Sequence, residues 1–155
     1  MNVFVLALCI GIVAGLRAMT APAAVSWAAH LGWLNLQGTP LAFMGSTIAV
    51  AIFTIAALAE YVTDQLPRTP ARTVPPQLIA RLVTGGLSGA CISASGGQSL
   101  LAGALAGAIG ALIGTFGGYQ LRTRLVSSLK VKDIFVAIPE DLVAIGLAYW
   151  LVSPR

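Results

Sequence analysis

The chain has 155 residues, 57% of them hydrophobic and only 9% charged, with a mean hydropathy of +0.90. Soluble domains carry about 25% charged residues, so these few charges could not cover a water-exposed surface, and a very apolar soluble helical core is the poorer reading. The net charge of +4 raises nucleic acid as a partner, but the basic residues stand between apolar stretches and follow no nucleic-acid motif. They read as topology signals and lipid-headgroup contacts.

Charged side chains mark the boundaries: residues 1–16, 18–59, 82–121 and 142–154 contain none. A helix crossing about 30 Å of hydrocarbon needs roughly 20 residues at about 1.5 Å each. The first segment does not fit that ruler. Residues 2–16 make about 22 Å of helix, too short to cross, and residues 2–34 make about 50 Å, too long for one straight span. The Arg17–Pro22 stretch, within Gly15-Leu-Arg-Ala-Met-Thr-Ala-Pro-Ala23, must therefore be a break. Two shapes remain open, one broken helix or two half-helices (2–16 and 20–34) in a re-entrant hairpin. Pro22 suits the first turn of the second half, with Thr20 near its cap. Ala21-Pro-Ala23 could pass for a leader cleavage site, but no basic residue precedes the apolar run, so the segment is expected to be retained.

Four full spans follow, at about 40–64, 77–95, 100–121 and 133–152. Glu60, Asp64 and Pro67 end the first. Pro75-Pro76 opens the second, and Ser95-Gly-Gly-Gln-Ser99 turns into the third. The expected fold is all-α: a single integral membrane domain over residues 1–155, a polytopic helix bundle with a Gly-rich, tightly packed central hairpin. Arg68, Arg72 and Arg81 lie in one connection, and Arg122, Arg124, Lys130 and Lys132 in the next but one, whereas Asn35–Thr39 and Ser95–Ser99 carry no basic residue. That asymmetry assigns loops 65–81 and 121–133 to the cytoplasm.

Gly103, Gly107, Gly110, Gly114 and Gly118 recur at helical spacing, and Gly85 and Gly89 do the same on the preceding span. In lipid, small residues permit close backbone approach, so these faces should pack the second and third spans together or across a dimer. A second proline, Pro139, precedes Glu140 and Asp141. A helix running only from Pro139 to Val152 would be about 21 Å, too short to span. Either residues 134–138 supply the remainder, leaving the acids roughly 9–12 Å in from Asp133, or Pro139 is a second helix break and the element a half-helix; in both cases the two acids sit below the membrane surface.

The candidate ligand- or ion-binding residues are Arg17, Thr20, Glu60, Asp64, Glu140 and Asp141. An arginine at a membrane helix centre costs roughly 2.5–3.5 kcal/mol on insertion scales and needs a carboxylate, an anion or water. Glu60 and Asp64, four apart on one face, repel unless a cation, a proton or an arginine intervenes. His30 and the tryptophans Trp27, Trp33 and Trp150 read as interfacial residues, and Cys9 and Cys91 as inert core residues. No nucleophile–base pair, phosphate loop or metal-ligand spacing is present, so neither an enzyme nor a metal or other cofactor is expected.

"GIVAGLRAMTAPAAVSWAAHLGWL", "EYVTDQLPRTPAR" and the late "PEDLVAIGLA" resemble a family of small bacterial inner-membrane proteins classed as a domain of unknown function, along the whole chain. The resemblance implies a bacterial, multi-pass, inner-membrane protein and no mechanism. Matching site positions would be Arg17, Thr20, Pro22, Glu60, Asp64, Pro67, Glu140 and Asp141. The leading expectation is a small homo-oligomeric transporter or channel for a small ion or polar solute. The alternatives are a lipid-binding or lipid-translocating protein, and a non-transporting scaffold.

Overall fold

The computed structural model describes residues 2–63, 75–129 and 133–153. Within them the chain forms six α-helices and no strand: α1 (Val3–Leu16), α2 (Thr20–His30), α3 (Thr47–Thr63), α4 (Pro75–Ser95), α5 (Leu100–Leu129) and α6 (Asp133–Val152). A 3-10 turn at Ala42–Gly45 precedes α3. The windows Pro76–Ser95 and Leu100–Leu121 are long and apolar enough to cross a membrane, whereas Val3–Leu16 and Thr47–Val62 are apolar but shorter.

Capping chemistry sets the helix ends and moves several expected boundaries. Asn2 opens α1 by accepting from the Phe4 N–H at 2.8 Å. The second half of the N-terminal pair stops at His30, not at residue 34. Gly32 takes a left-handed φ of +83°, while the N–H groups of Gly32 and Trp33 donate to Ala29 and Ala28 O, a Schellman ending. The third helix begins at Thr47 rather than near residue 40, because Ser46 caps it through the Ala49 N–H at 3.1 Å. Gly97, at φ +73°, ends α4 as Gly32 ends α2. Helix α5 runs eight residues beyond the apolar window, to Leu129: arginines end a hydrophobic stretch but are good helix formers. Most of the expected loop 121–133 is therefore helix. Pro139 does not break α6, which continues through it from Asp133 to Val152. A proline in a helix forfeits one backbone hydrogen bond, and here the helix tolerates that loss.

The central hairpin is a three-helix core, because α1 inserts along it. A Cβ on Gly107 would lie 2.1 Å from Gly85 O, and one on Gly110 would lie 2.0 Å from Leu8 O. Both backbones approach more closely than any side chain would allow. Gly85, Gly89, Gly103 and Gly107 thus join α4 to α5, while Gly110 and Gly114 face Leu8 and Ile12 of α1. Gly118, in the same series, is half-buried. Gly85, Gly89, Gly103 and Gly107 pack the two central helices together as expected, and α1 is a third partner within the same chain, taking up Gly110 and Gly114.

The same contacts fix the course of the N-terminal pair. At one end of α1, Val3 meets Gly96 at the close of α4; at the other, Gly15 meets Arg81 near the start of α4. Helix α2 runs antiparallel to α3: Thr20 meets Tyr61, Trp27 meets Thr54 and His30 meets Gly45. Since Glu60 on α3 and Arg81 on α4 adjoin, the N-terminus of α1 and the C-terminus of α2 lie at the same end of the bundle. The two helices form a hairpin that turns back at Arg17–Met19.

Candidate functional site

Turning a chain back inside a bundle leaves the last carbonyls of one helix and the first N–H groups of the next without intrahelical partners. Distant charged side chains meet those groups here. Ala18 N and Met19 N, at the start of α2, donate to the two oxygens of the Glu60 carboxylate at 2.9 and 3.2 Å. The N-cap of α2 is Met19, which has no side-chain cap of its own, so a carboxylate from α3 does that work. Gly15 O, at the close of α1, accepts from Arg81 Nη1 at 2.7 Å and from Thr115 Oγ1 at 3.5 Å. Helix dipoles favour an anion at an N-terminus and a cation at a C-terminus. Glu60 and Arg81 satisfy both ends of the break.

Arg17, at the tip itself, is fully buried and forms an ion pair with Asp141 of α6. Its guanidinium carbon lies 5.8 Å from the centroid of the Tyr61 ring, within cation–π range. The Tyr61 hydroxyl is in turn hydrogen-bonded to Thr20 Oγ1. Arg81, 2% exposed, has Nη2 at 4.0 Å from Glu60 Oε2. The formal charges of Arg17, Arg81, Glu60 and Asp141 cancel. The cluster draws on the α1–α2 turn and on α3, α4, α5 and α6, so it joins every helix of the bundle.

Two helices give the depth of the cluster independently. Arg81 is six residues into α4 and Asp141 eight into α6, about 9 and 12 Å along the axes at about 1.5 Å per residue. Both side chains are buried at that distance from the helix starts.

Of the residues singled out from sequence, Arg17, Thr20, Glu60 and Asp141 come together. Glu140, next to Asp141, is half-buried. Asp64 lies outside the described residues. Thr20 is the first helical residue rather than the cap, and its hydroxyl turns to Tyr61. Pro22 lies in the first turn of α2, where its missing donor costs nothing, and the interruption itself is at Arg17–Met19. Sequence reasoning missed Tyr61 and Thr115, and it treated Arg81 as a linker charge. The signal for Arg81 was available: a helix opening at Pro75 carries residue 81 about 9 Å inward.

Beside the tip, between α2, α3 and α6, an apolar cavity of about 400 Å³ has Thr20 and Tyr61 at one end and Trp33 and Tyr149 among its other walls. A second cavity of about 550 Å³, lined by His30, Asn35, Gln37 and Ser46 among others, lies beyond the end of α2.

Neither the curated proteins nor the solved structures offer a match. One family profile matches nearly the whole length, residues 4–153, and on it the chain belongs to the family described as domain of unknown function DUF4126.

Proposed function

We propose that this is a multi-pass protein of the bacterial inner membrane that moves a small ion or proton, with the charged hairpin tip as its exchange site. In this reading α3, α4, α5 and α6 cross the bilayer, the α1–α2 hairpin dips in and returns, and the basic connections face the cytoplasm. Support for the membrane setting comes from the two long apolar helices and from the apolar side chains on the outer faces. Ile48, Ile52, Ile55 and Leu58 on α3, and Leu101, Leu105 and Ile109 on α5, are each more than half exposed. In water, apolar stripes of that extent would drive association.

The observation that carries the transport reading is the charge-balanced cluster of Arg17, Arg81, Glu60 and Asp141 where a helix is interrupted. Intramembrane ionisable groups are costly and mark ion or proton pathways. In transporters built on discontinuous helices, the half-helix ends are where ions and substrates bind. Here the chain's own carboxylate and guanidinium hold those positions, so an entering ion or proton exchanges with an internal pair. A four-span protomer encloses little, which favours a homo-oligomer.

A purely architectural role for the cluster is the second reading, favoured by the complete burial of Arg17. That burial, with the Asp141 pair, also argues against Arg17 as the anchor for a lipid phosphate. The deciding experiment is proton and alkali-cation flux in proteoliposomes for the wild type, Glu60→Gln and Asp141→Asn. Flux that falls at least tenfold in either folded variant supports exchange at the tip. Flux that is absent, or unchanged in both variants, refutes it.

A further inference from the structure

We propose that the groove between α2, α3 and α6, together with the polar cavity beyond the end of α2, binds one phospholipid from the leaflet on the His30 side, with an acyl chain in the groove. The inference rests on the membrane setting argued above and is independent of transport.

Four observations commit the site to that occupant. The first is size: about 400 Å³ falls within the roughly 300–1,000 Å³ typical of small-molecule sites. The second is chemistry. The hydroxyls of Thr20 and Tyr61 bond each other, and Trp27 Nε1 donates to Thr54 Oγ1 at 2.8 Å. The Trp33 and Tyr149 rings pack edge to face at 5.9 Å. The polar groups of Thr20, Tyr61, Trp27 and Thr54 are thus engaged with one another along the walls, and the rest of the lining is mainly aliphatic and aromatic surface. A polar ligand would give up its water there for little return, whereas a hydrocarbon chain loses nothing.

The third is length. From Thr20 to Leu31, both lining the groove, is about 16 Å of helix, close to half of a hydrocarbon core of about 30 Å. The groove therefore has the depth of one leaflet. Leu58 and Ile145 on its rims are 58% and 44% exposed, so a chain can enter sideways from the bilayer.

The fourth is the matching polarity at the outer end. The segment 30–34 separates the two cavities: Leu31 and Trp33 line the apolar one, and His30, Gly32 and Leu34 line the polar one. The polar cavity offers the side chains of Asn35, Gln37 and His30 at the level where a chain lying in the groove would carry its headgroup. One molecule, apolar along about 16 Å and polar at one end, satisfies both.

Native mass spectrometry of the purified full chain, supplied with palmitoyl-oleoyl phosphatidylethanolamine, tests this. The wild type should keep one lipid at activation energies that strip all others. Ile145→Trp and Ala24→Phe, which fill the groove, should cut that adduct at least tenfold. Ile109→Trp, on an exposed face of α5, should keep it. Because Ile145 is substantially exposed, its variant preserves a folded test even if Ala24→Phe does not fold. An adduct unchanged in Ile145→Trp, no retained lipid in the wild type, or a dimer that protects the groove instead would each overturn the proposal. Alkaline carbonate extraction of the same cells separates the two levels. A chain released into the aqueous phase contradicts the membrane setting, whereas a chain that stays in the membrane without a lipid adduct contradicts only the lipid site.

Discussion

If Arg17 and Asp141 hold the hairpin tip as a buried pair, removing one partner should be far more damaging than removing both. Arg17 is 0% exposed and the Asp141 side chain 13%, so solvent screens the pair little. At an effective dielectric of about 20, charges about 4 Å apart interact by about 4 kcal/mol. Truncating one member of a buried pair typically costs about 3–5 kcal/mol, because a desolvated charge is left uncompensated. Asp141→Asn should therefore lower the folded-to-unfolded ratio by roughly 10² to 10³·⁵ at about 1.4 kcal/mol per decade. The apolar pair Arg17→Met with Asp141→Leu removes both charges together and should recover most of that loss. Equilibrium unfolding in mixed dodecyl sulfate and dodecyl maltoside micelles, followed by the fluorescence of the three tryptophans, measures both. The reasoning is refuted if Asp141→Asn costs less than about 1 kcal/mol, the ordinary range of a solvent-exposed pair, or if the double variant is no more stable than Asp141→Asn alone.

Further outcomes are expected for four variants. Gly110→Ala drives a methyl to 2.0 Å from Leu8 O and should lose about 3 kcal/mol, the upper end of overpacking costs. Gly117→Ala, with nothing within 4 Å of the new Cβ, should be neutral or gain up to about 1 kcal/mol of helix propensity; equal effects in the same unfolding assay would contradict the α1–α5 contact. Glu60→Gln weakens a charge-assisted acceptor worth about 1.5–3 kcal/mol, so hydrogen exchange at Ala18 and Met19 should accelerate about 10- to 100-fold while the α4–α5 core stays protected. Gly97→Ala places a Cβ at φ +73° and should cost about 1–2 kcal/mol, read as a lower unfolding midpoint without loss of the other helices.

The break near Arg17 could be read from the sequence because it is a question of length: neither the 15 residues 2–16 nor the 33 residues 2–34 fit one bilayer crossing of about 20. The depth of Asp141 followed from the same ruler, applied from Asp133. The ruler also placed Arg81 inside its helix, but a basic residue after a loop was read as part of the loop, and a deep cationic cap on Gly15 O went unseen. The α1–α5 contact was legible in Gly11-Ile-Val-Ala-Gly15, a small-xxx-small spacing that matches Gly107 and Ala111 across the interface. It was passed over because α1 is apolar on every side and offers no polar face to orient it. Which carboxylate answers which arginine was not legible. Glu60, Glu140 and Asp141 are chemically alike, and only the packing of α3 and α6 on the hairpin chooses between them. Tyr61 depended on the same choice, since its hydroxyl has a partner only when α2 lies antiparallel to α3.

The account depends most on the N-terminal pair turning back at Arg17–Met19 rather than passing through. Single cysteines at Asn2, Asn35 and Ser128, all exposed, can be introduced after replacing Cys9 and Cys91 by alanine and probed with a membrane-impermeant maleimide. The hairpin predicts that Asn2→Cys and Asn35→Cys both react in intact spheroplasts and that Ser128→Cys reacts only after lysis. Labelling of Asn2→Cys and Asn35→Cys from opposite sides of the membrane would mean that this segment crosses once, and would contradict the hairpin on which the charged tip is built.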